Sequence, residues 1–216
     1  MEASFWHNKW EHGDIGFHEN ETNPLLVKHL EKLGMQPDGR IFLPLCGKTR
    51  DIAWLLGRGH RIVGAELSAL AIEQLFSELG LQPAVSAVGK LIRYSASDID
   101  VLVGDFFAVT VDLLGPVNAI YDRAALVALP DGVRADYAVH LMRLTGAAPQ
   151  LLVSLAYDQQ RMAGPPFSVT EDEIRKHYDN AYQVHCVQTN AVAGGLKGKV
   201  EATESAWILQ NMGRRT

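Results

Sequence analysis

The sequence predicts an α/β fold, a mostly parallel sheet with helices on both faces, and three observations predict it. Short apolar runs of strand length alternate with amphipathic segments of helical period along most of the 216 residues. Residues 40–66, RIFLPLCGKTRDIAWLLGRGHRIVGAE, read as strand, tight turn, helix and second strand, with the acidic Glu66 closing the unit. Later strand runs end in Asp105 and in Asp122-Arg123, at the end of the sheet where α/β proteins bind ligands.

Residues 1–22 form an N-terminal arm, expected to act as a lid. Within it FWHNKWEHGDIGFH, residues 5–18, is rich in aromatics that follow neither a helical nor a strand period. Phe5, Trp6, Trp10 and Phe17 are expected either to pack the arm onto the domain or to cover a ligand with their ring faces. Asn23-Pro24 is a helix start, with Leu26, Leu30 and Leu33 on one face and Gly34 as the stop. Ile41-Phe42-Leu43 is the first buried strand. The helix after it, over residues 50–56, is expected to turn Ile52, Ala53, Leu55 and Leu56 inward. Residues 61–66 make the second strand. Ser68 caps a third helix with Ile72, Leu75, Phe76 and Leu79 at helical spacing and Gly80 after it.

Between residues 83 and 100 the alternation breaks, and Gly89-Lys90 between β-prone runs predicts a hairpin-like insertion. Residues 101–103 resume the sheet, and residues 118–121 add another strand. Asp131 is a candidate cap for a helix carrying Tyr137, Leu141 and Leu144. Residues 151–156 form the next strand, and Gly164-Pro165-Pro166 is a loop. Thr170-Glu171-Asp172-Glu173 matches a capping box. Two last strands fall near residues 181–190 and 205–210. There is no repeat, linker or low-complexity tract, so residues 1–216 are expected to form one domain.

Composition narrows the function classes. Hydrophobic residues make up 47% and charged residues 21%, and 20 Lys+Arg against 25 Asp+Glu give a net charge of −5. With no basic run, nucleic acid is a poor partner. No stretch has the length and apolarity of a membrane span, no leader pattern opens the chain, and Cys46 and Cys186 are too few for a disulfide framework. The expected setting is the cytoplasm, and the expected state a monomer.

The turn LPLCGKT lacks G-x-G-x-x-G, and the phosphate-loop pattern that would end at Gly47-Lys48 requires a glycine where Phe42 stands. One glycine suits a cofactor without a phosphate to cradle. Glu66, 19 residues beyond Gly47, is placed to accept two hydrogen bonds from a ribose diol. Asp105 with Phe106 reads either as an ordinary strand end or as a carboxylate or backbone amide set against an adenine edge with the ring against its face. Asp122-Arg123 reads either as a local ion pair or as a guanidinium at the reaction centre. Cys46 lacks a paired base and reads as a small turn residue, and the eight His show no metal spacing, so no metal is expected.

These motifs together resemble the thiopurine S-methyltransferase family. The likeness runs through residues 40–72, the arm, LVGDFF at residues 102–107 and IYDRAALVALP at residues 120–130. It implies a class I methyltransferase (Rossmann-like) three-layer sandwich, with a seven-stranded sheet whose last strand is antiparallel. It also implies S-adenosylmethionine as methyl donor, with S-adenosylhomocysteine as product, and a sulfur, selenium or tellurium acceptor. By position Trp10 would stack over the cofactor. Leu45 and Gly47 would meet its amino-acid end, Glu66 the ribose, and Asp105-Phe106 the adenine. Arg123 would lie near cofactor and acceptor. The lack of a longer N-terminal tail points to a bacterial member. On this reading an acceptor that arrives ionised needs no strong enzymic base. Arg123 would stabilise that anion, and Asp14 in the arm is the candidate for any proton removal, ranked behind Arg123 as a catalytic group. The rival readings are an NAD-dependent oxidoreductase, a nucleic-acid methyltransferase and a non-catalytic S-adenosylmethionine-binding protein.

Overall fold

The computed structural model describes residues 3–16 and 18–213. Phe17, one of the four arm aromatics, lies outside the described residues. The sheet forms in chain order from β1 (Arg40–Pro44), β2 (Arg61–Glu66), β3 (Ala84–Val88), β4 (Leu91–Ala96), β5 (Ile99–Val103), β6 (Ala119–Arg123), β7 (Gln150–Tyr157), β8 (Tyr182–Ala191) and β9 (Ala202–Asn211). Its spatial order is β3-β4-β5-β2-β1-β6-β7-β9-β8. The five strands β5, β2, β1, β6 and β7 are parallel, and β9 runs antiparallel to both β7 and β8.

Seven strands were expected, and the described residues form nine. The seven keep the expected arrangement, and the extra two are the hairpin β3–β4. Its second strand pairs antiparallel with β5, so the insertion lengthens the sheet instead of standing away from it. Leu91 and Tyr94 are buried and supply the apolar contact that holds this edge down.

Helices cover both faces. One carries α2 (Pro24–His29), α3 (Arg50–Gly57) and α4 (Ala69–Leu79), and the other α5 (Val111–Leu114), α6 (Asp131–Thr145) and α7 (Glu171–Tyr178). Because side chains alternate along a strand, each strand feeds both cores. Ile41 and Leu43 join Ile52, Leu55, Ile72 and Phe76 on the α2–α4 side. Phe42 joins Leu126, Tyr137, Leu141 and Tyr178 on the other.

Several local signals behave as read. Asn23 accepts from the Leu25 N–H, Ser68 from the Ala71 N–H, and Gly34 and Gly80 close their helices in the left-handed conformation. Others do not. The arm was read as irregular, yet residues Ala3–Glu11 form a helix, α1, with Trp10 buried. Trp6 and Trp10 are one turn apart, and packing against α4 overrides the weak periodicity of the remaining residues. In α3 the inward residues are Asp51, Ile52 and Leu55, while Ala53 is exposed and Leu56 only half-buried. Pro130, not Asp131, occupies the cap position of α6. The Thr170 capping box does not close: Arg134 Nη1 draws Glu173 Oε1 to 2.5 Å, so the carboxylate is not free to reach back.

Candidate active site

The C-terminal ends of β1, β2, β5 and β6 lie side by side, and the turns that leave them build one site. Glu66 is its centre. Buried at the end of β2, its carboxylate accepts the Gly47 N–H on Oε2 at 2.8 Å and the Ser68 N–H on Oε1 at 2.9 Å. Its backbone carbonyl accepts the Gly104 N–H at 2.8 Å. One residue therefore joins the turn after β1, the start of α4 and the turn after β5. Burial pushes the Glu66 carboxyl above its ordinary value, opposed by the N–H groups of Ser68, Gly47 and Leu67 and by His7 of α1.

The turn after β1 is tightly constrained. Leu45 adopts φ +47°, a conformation costing about 1–2 kcal/mol for a residue with a Cβ. The Cys46 N–H donates to the Ala65 carbonyl at 3.0 Å. Gly47 takes φ +51°, and a Cβ there would come within 3.1 Å of the Trp10 ring. Glycine at 47 is thus what lets the indole of α1 lie on the turn. Cys46 is buried, and burial beside Glu66 raises its thiol pKa well above the usual value, so it is an inert part of the packing.

A cavity of about 450 Å³ opens beside these groups. His7 and Glu11 of α1 line one wall, Lys90 and Ile92 of the hairpin another, and Ser68 and Gly104 its base. Asp105, just past β5, is exposed and caps the following 3₁₀ turn by accepting the Phe107 N–H at 2.9 Å. Phe106 was expected to set its ring against an adenine. Instead the ring is buried in the core, 5.0 Å from Tyr137 and 5.1 Å from His140, because residue 106 faces inward from the turn that Asp105 caps. A ligand here would meet the backbone of Phe106, not its ring.

Asp122 and Arg123 do not form a local ion pair. Adjacent residues on a strand point to opposite faces. Asp122 is fully buried under α6, accepting the Tyr137 hydroxyl at 2.8 Å and the Leu126 N–H at 3.1 Å, and desolvation raises its pKa to about 6. Arg123 lies on the other face, its side chain 12% exposed, with Nη2 2.5 Å from Glu19 Oε1 of the arm. Burial works against its charge, but Tyr121, Glu19, Asp51 and Glu204 outweigh it and hold the pKa above the ordinary value. Asp51 beneath is already engaged by the Asn23 N–H and by the hydroxyls of Thr49 and Tyr121.

Asp14 is exposed and ion-paired with Lys9, which holds its carboxyl below the usual range; a group so placed is a weak proton acceptor. Sequence reasoning missed Glu19 and Glu204. Glu204 is half-buried near the start of β9, and its pKa is raised by burial against the lowering effect of Arg123. Neither carries a local signal, since only the pairing of β7 with β9 and the path of the arm bring them to Arg123. Among the described residues no three His, Cys, Asp or Glu side chains are grouped to hold a metal ion.

The arrangement fits an adenosyl ligand. Each Glu66 oxygen receives one N–H and retains lone-pair capacity for a further donor, as a ribose diol supplies, and the turn beside it takes the left-handed conformation at Leu45 and Gly47. Solved structures of this fold define its class. An S-adenosylmethionine-dependent methyltransferase of Anabaena variabilis is similar to the chain, with a TM-score of 0.64 at 15% identity over 97% of this chain and 95% of that one. So is 1,6-didemethyltoxoflavin-N1-methyltransferase of Burkholderia thailandensis, solved with bound 1,6-didemethyltoxoflavin and S-adenosylhomocysteine, with a TM-score of 0.63 at 14% identity over 97% and 87%. The fold is that of class I methyltransferases.

Sequence comparison then gives the family. The model "Thiopurine S-methyltransferase (TPMT)" matches residues 1–211. The chain is 55% identical over 211 residues to thiopurine S-methyltransferase of Xanthobacter autotrophicus, covering 97% of this chain and 99% of that one. It is 49% identical to the enzyme of Teredinibacter turnerae, covering 97% of each. The chain belongs to the thiopurine S-methyltransferase family and is an S-adenosylmethionine-dependent methyltransferase.

Proposed function

We propose that the chain methylates a small-molecule acceptor through sulfur, such as a thiopurine or another aromatic or heterocyclic thiol, or through selenium or tellurium. We place it in the cytoplasm as a monomer, without nucleic-acid or membrane partners. The observation that carries the reading is Arg123, a largely enclosed guanidinium at the end of β6, the strand beside β1, whose following turn carries Gly47. When bound, S-adenosylmethionine supplies an electrophilic methyl group on a sulfonium. The acceptor forms its bond to that methyl as the carbon–sulfonium bond breaks, and the electron pair stays with the departing sulfur.

The roles proposed for this chain's residues follow from their positions. Glu66 holds the ribose, Leu45 and Gly47 offer backbone to the amino-acid end, and Asp105 with the Phe106 backbone borders the adenine. Trp10 covers the turn and excludes water, which favours displacement by a poorly hydrated nucleophile. Arg123 holds an acceptor that arrives as an anion, and Asp14 contributes least. A strong base is unnecessary for a thiolate or selenolate ionised at neutral pH.

Purified protein assayed with labelled S-adenosylmethionine against thiols, thiopurines, selenite and tellurite tests the acceptor class. Activity confined to oxygen or nitrogen acceptors overturns it, and no turnover with any acceptor favours a binding protein. For Arg123→Gln, loss of a charged hydrogen bond predicts a fall in kcat/KM for an anionic thiol of about 10- to 100-fold. S-adenosylhomocysteine binding should change less. An unaltered kcat/KM removes Arg123 from the reaction.

A further inference from the structure

We infer that Glu19 is a specificity-determining residue: its carboxylate occupies Arg123 as a stand-in for an anionic acceptor, so acceptors are selected by their ability to replace it with a negative charge. The inference rests on Arg123 being the acceptor anchor.

The carboxylates around Arg123 are not equivalent. Asp122 is its chain neighbour but faces the opposite core. Asp51 is buried and engaged by three other donors. Glu204 belongs to β9, half-buried and fixed by the β7–β9 ladder. Of these carboxylates Glu19 makes the ion pair with Arg123, at 2.5 Å, and it belongs to residues 18–23, which form neither helix nor strand. Its side chain is 48% exposed where that of Arg123 is 12%. The cation is therefore fixed and enclosed, while its partner sits at the solvent edge and can be exchanged.

Electrostatics favours a like-for-like exchange. Removing Glu19 without a replacement would leave a largely enclosed guanidinium short of one counter-charge, a costly state. An ionised thiol, selenol or oxyanion restores that charge as it binds. A neutral acceptor does not, so for it Glu19 remains the better partner of Arg123. The same contact ties the segment after Trp10 to the end of β6, so replacing Glu19 also releases the arm beside the incoming acceptor.

The test compares two probe thiols, 5-thio-2-nitrobenzoate, ionised at neutral pH, and benzyl mercaptan, which is not. KM is measured for each with the wild type, Glu19→Gln, Arg123→Gln and the double variant. With its carboxylate at the solvent edge, the pair is worth a factor of about 2 to 5. Glu19→Gln should lower KM for the thionitrobenzoate by that factor, with the benzyl mercaptan KM moving less. In the Arg123→Gln background the Glu19 substitution should have no further effect on the anionic thiol. If Glu19→Gln shifts both thiols alike, or fails to lower the anionic KM, the inference is overturned. If Arg123→Gln leaves the anionic KM at its wild-type value, the anchor reading itself fails. If Arg123→Gln raises that KM while Glu19→Gln does not lower it, the anchor reading stands and only the Glu19 inference falls.

Discussion

Glu66→Gln exchanges one oxygen for an NH₂ group and removes one charge. In the native turn the two carboxylate oxygens each accept a backbone N–H, from Gly47 at 2.8 Å and Ser68 at 2.9 Å. A glutamine retains one acceptor, and its NH₂ must face the other N–H, donor against donor. A buried N–H without an acceptor costs about 1–3 kcal/mol, and in a domain of this size each kcal/mol lowers Tm by roughly 2–4 °C. The ligand is affected as well. A hydrogen bond to a charged group contributes about 1.5–3 kcal/mol, so S-adenosylhomocysteine should bind at least about tenfold more weakly. Titration calorimetry with S-adenosylhomocysteine and with its 2′,3′-dideoxy analogue separates the two effects. The wild type should prefer the parent compound by about tenfold or more, and Glu66→Gln should lose most of that preference, whatever it does to stability. A variant that keeps both the wild-type Tm and the wild-type preference would refute the argument that this carboxylate builds the turn and reads the ribose.

Two further outcomes follow from buried groups. Asp122 has a folded pKa of about 6 against an ordinary value of 3.8. Between those values the folded state holds a proton the unfolded state has released, so stability falls as pH rises through that window, by about 3 kcal/mol. Asp122→Asn lacks this slope: in urea unfolding its stability relative to wild type should rise by about that amount between pH 4 and 6 and then level off, and parallel curves would contradict it. Native protein treated with iodoacetamide should be alkylated at the exposed Cys186 and spared at Cys46, as read by mass spectrometry; early modification of Cys46 would show that the Gly47 turn is open.

Much of the fold was legible because its signals are local. Asn23-Pro24, Ser68, Gly34 and Gly80 act through residues two to four positions away, and the order of apolar strands and helices defines the layers. Gly47 and Glu66 were legible as a pair because a helix of ordinary length spaces them on neighbouring parallel strands. What escaped depends on distant partners. Glu173 looks like a capping-box residue until Arg134, 39 positions earlier, takes its carboxylate. The ring of Phe106 reads as a ligand face until Tyr137 and His140 claim it. The helix of the arm forms against α4, and Glu19 and Glu204 reach Arg123 from opposite ends of the chain. Charge partners at that separation leave no periodicity to read.

The bonds of Glu66 to Gly47, Ser68 and Gly104 have a dynamic consequence. Three loops that would otherwise fluctuate separately share one buried fastening, so opening any of them exposes a carboxylate or strips an N–H of its acceptor. Fluctuations here are accordingly collective, with the backbone amides of residues 47, 68 and 104 gaining or losing protection together. A ligand binding at this turn would meet a surface whose ordering entropy was spent when the chain folded, and its affinity would be free of that cost. The same fastening limits how such a site can drift in evolution: loop lengths on either side can vary, but a change at the knot unties all three at once.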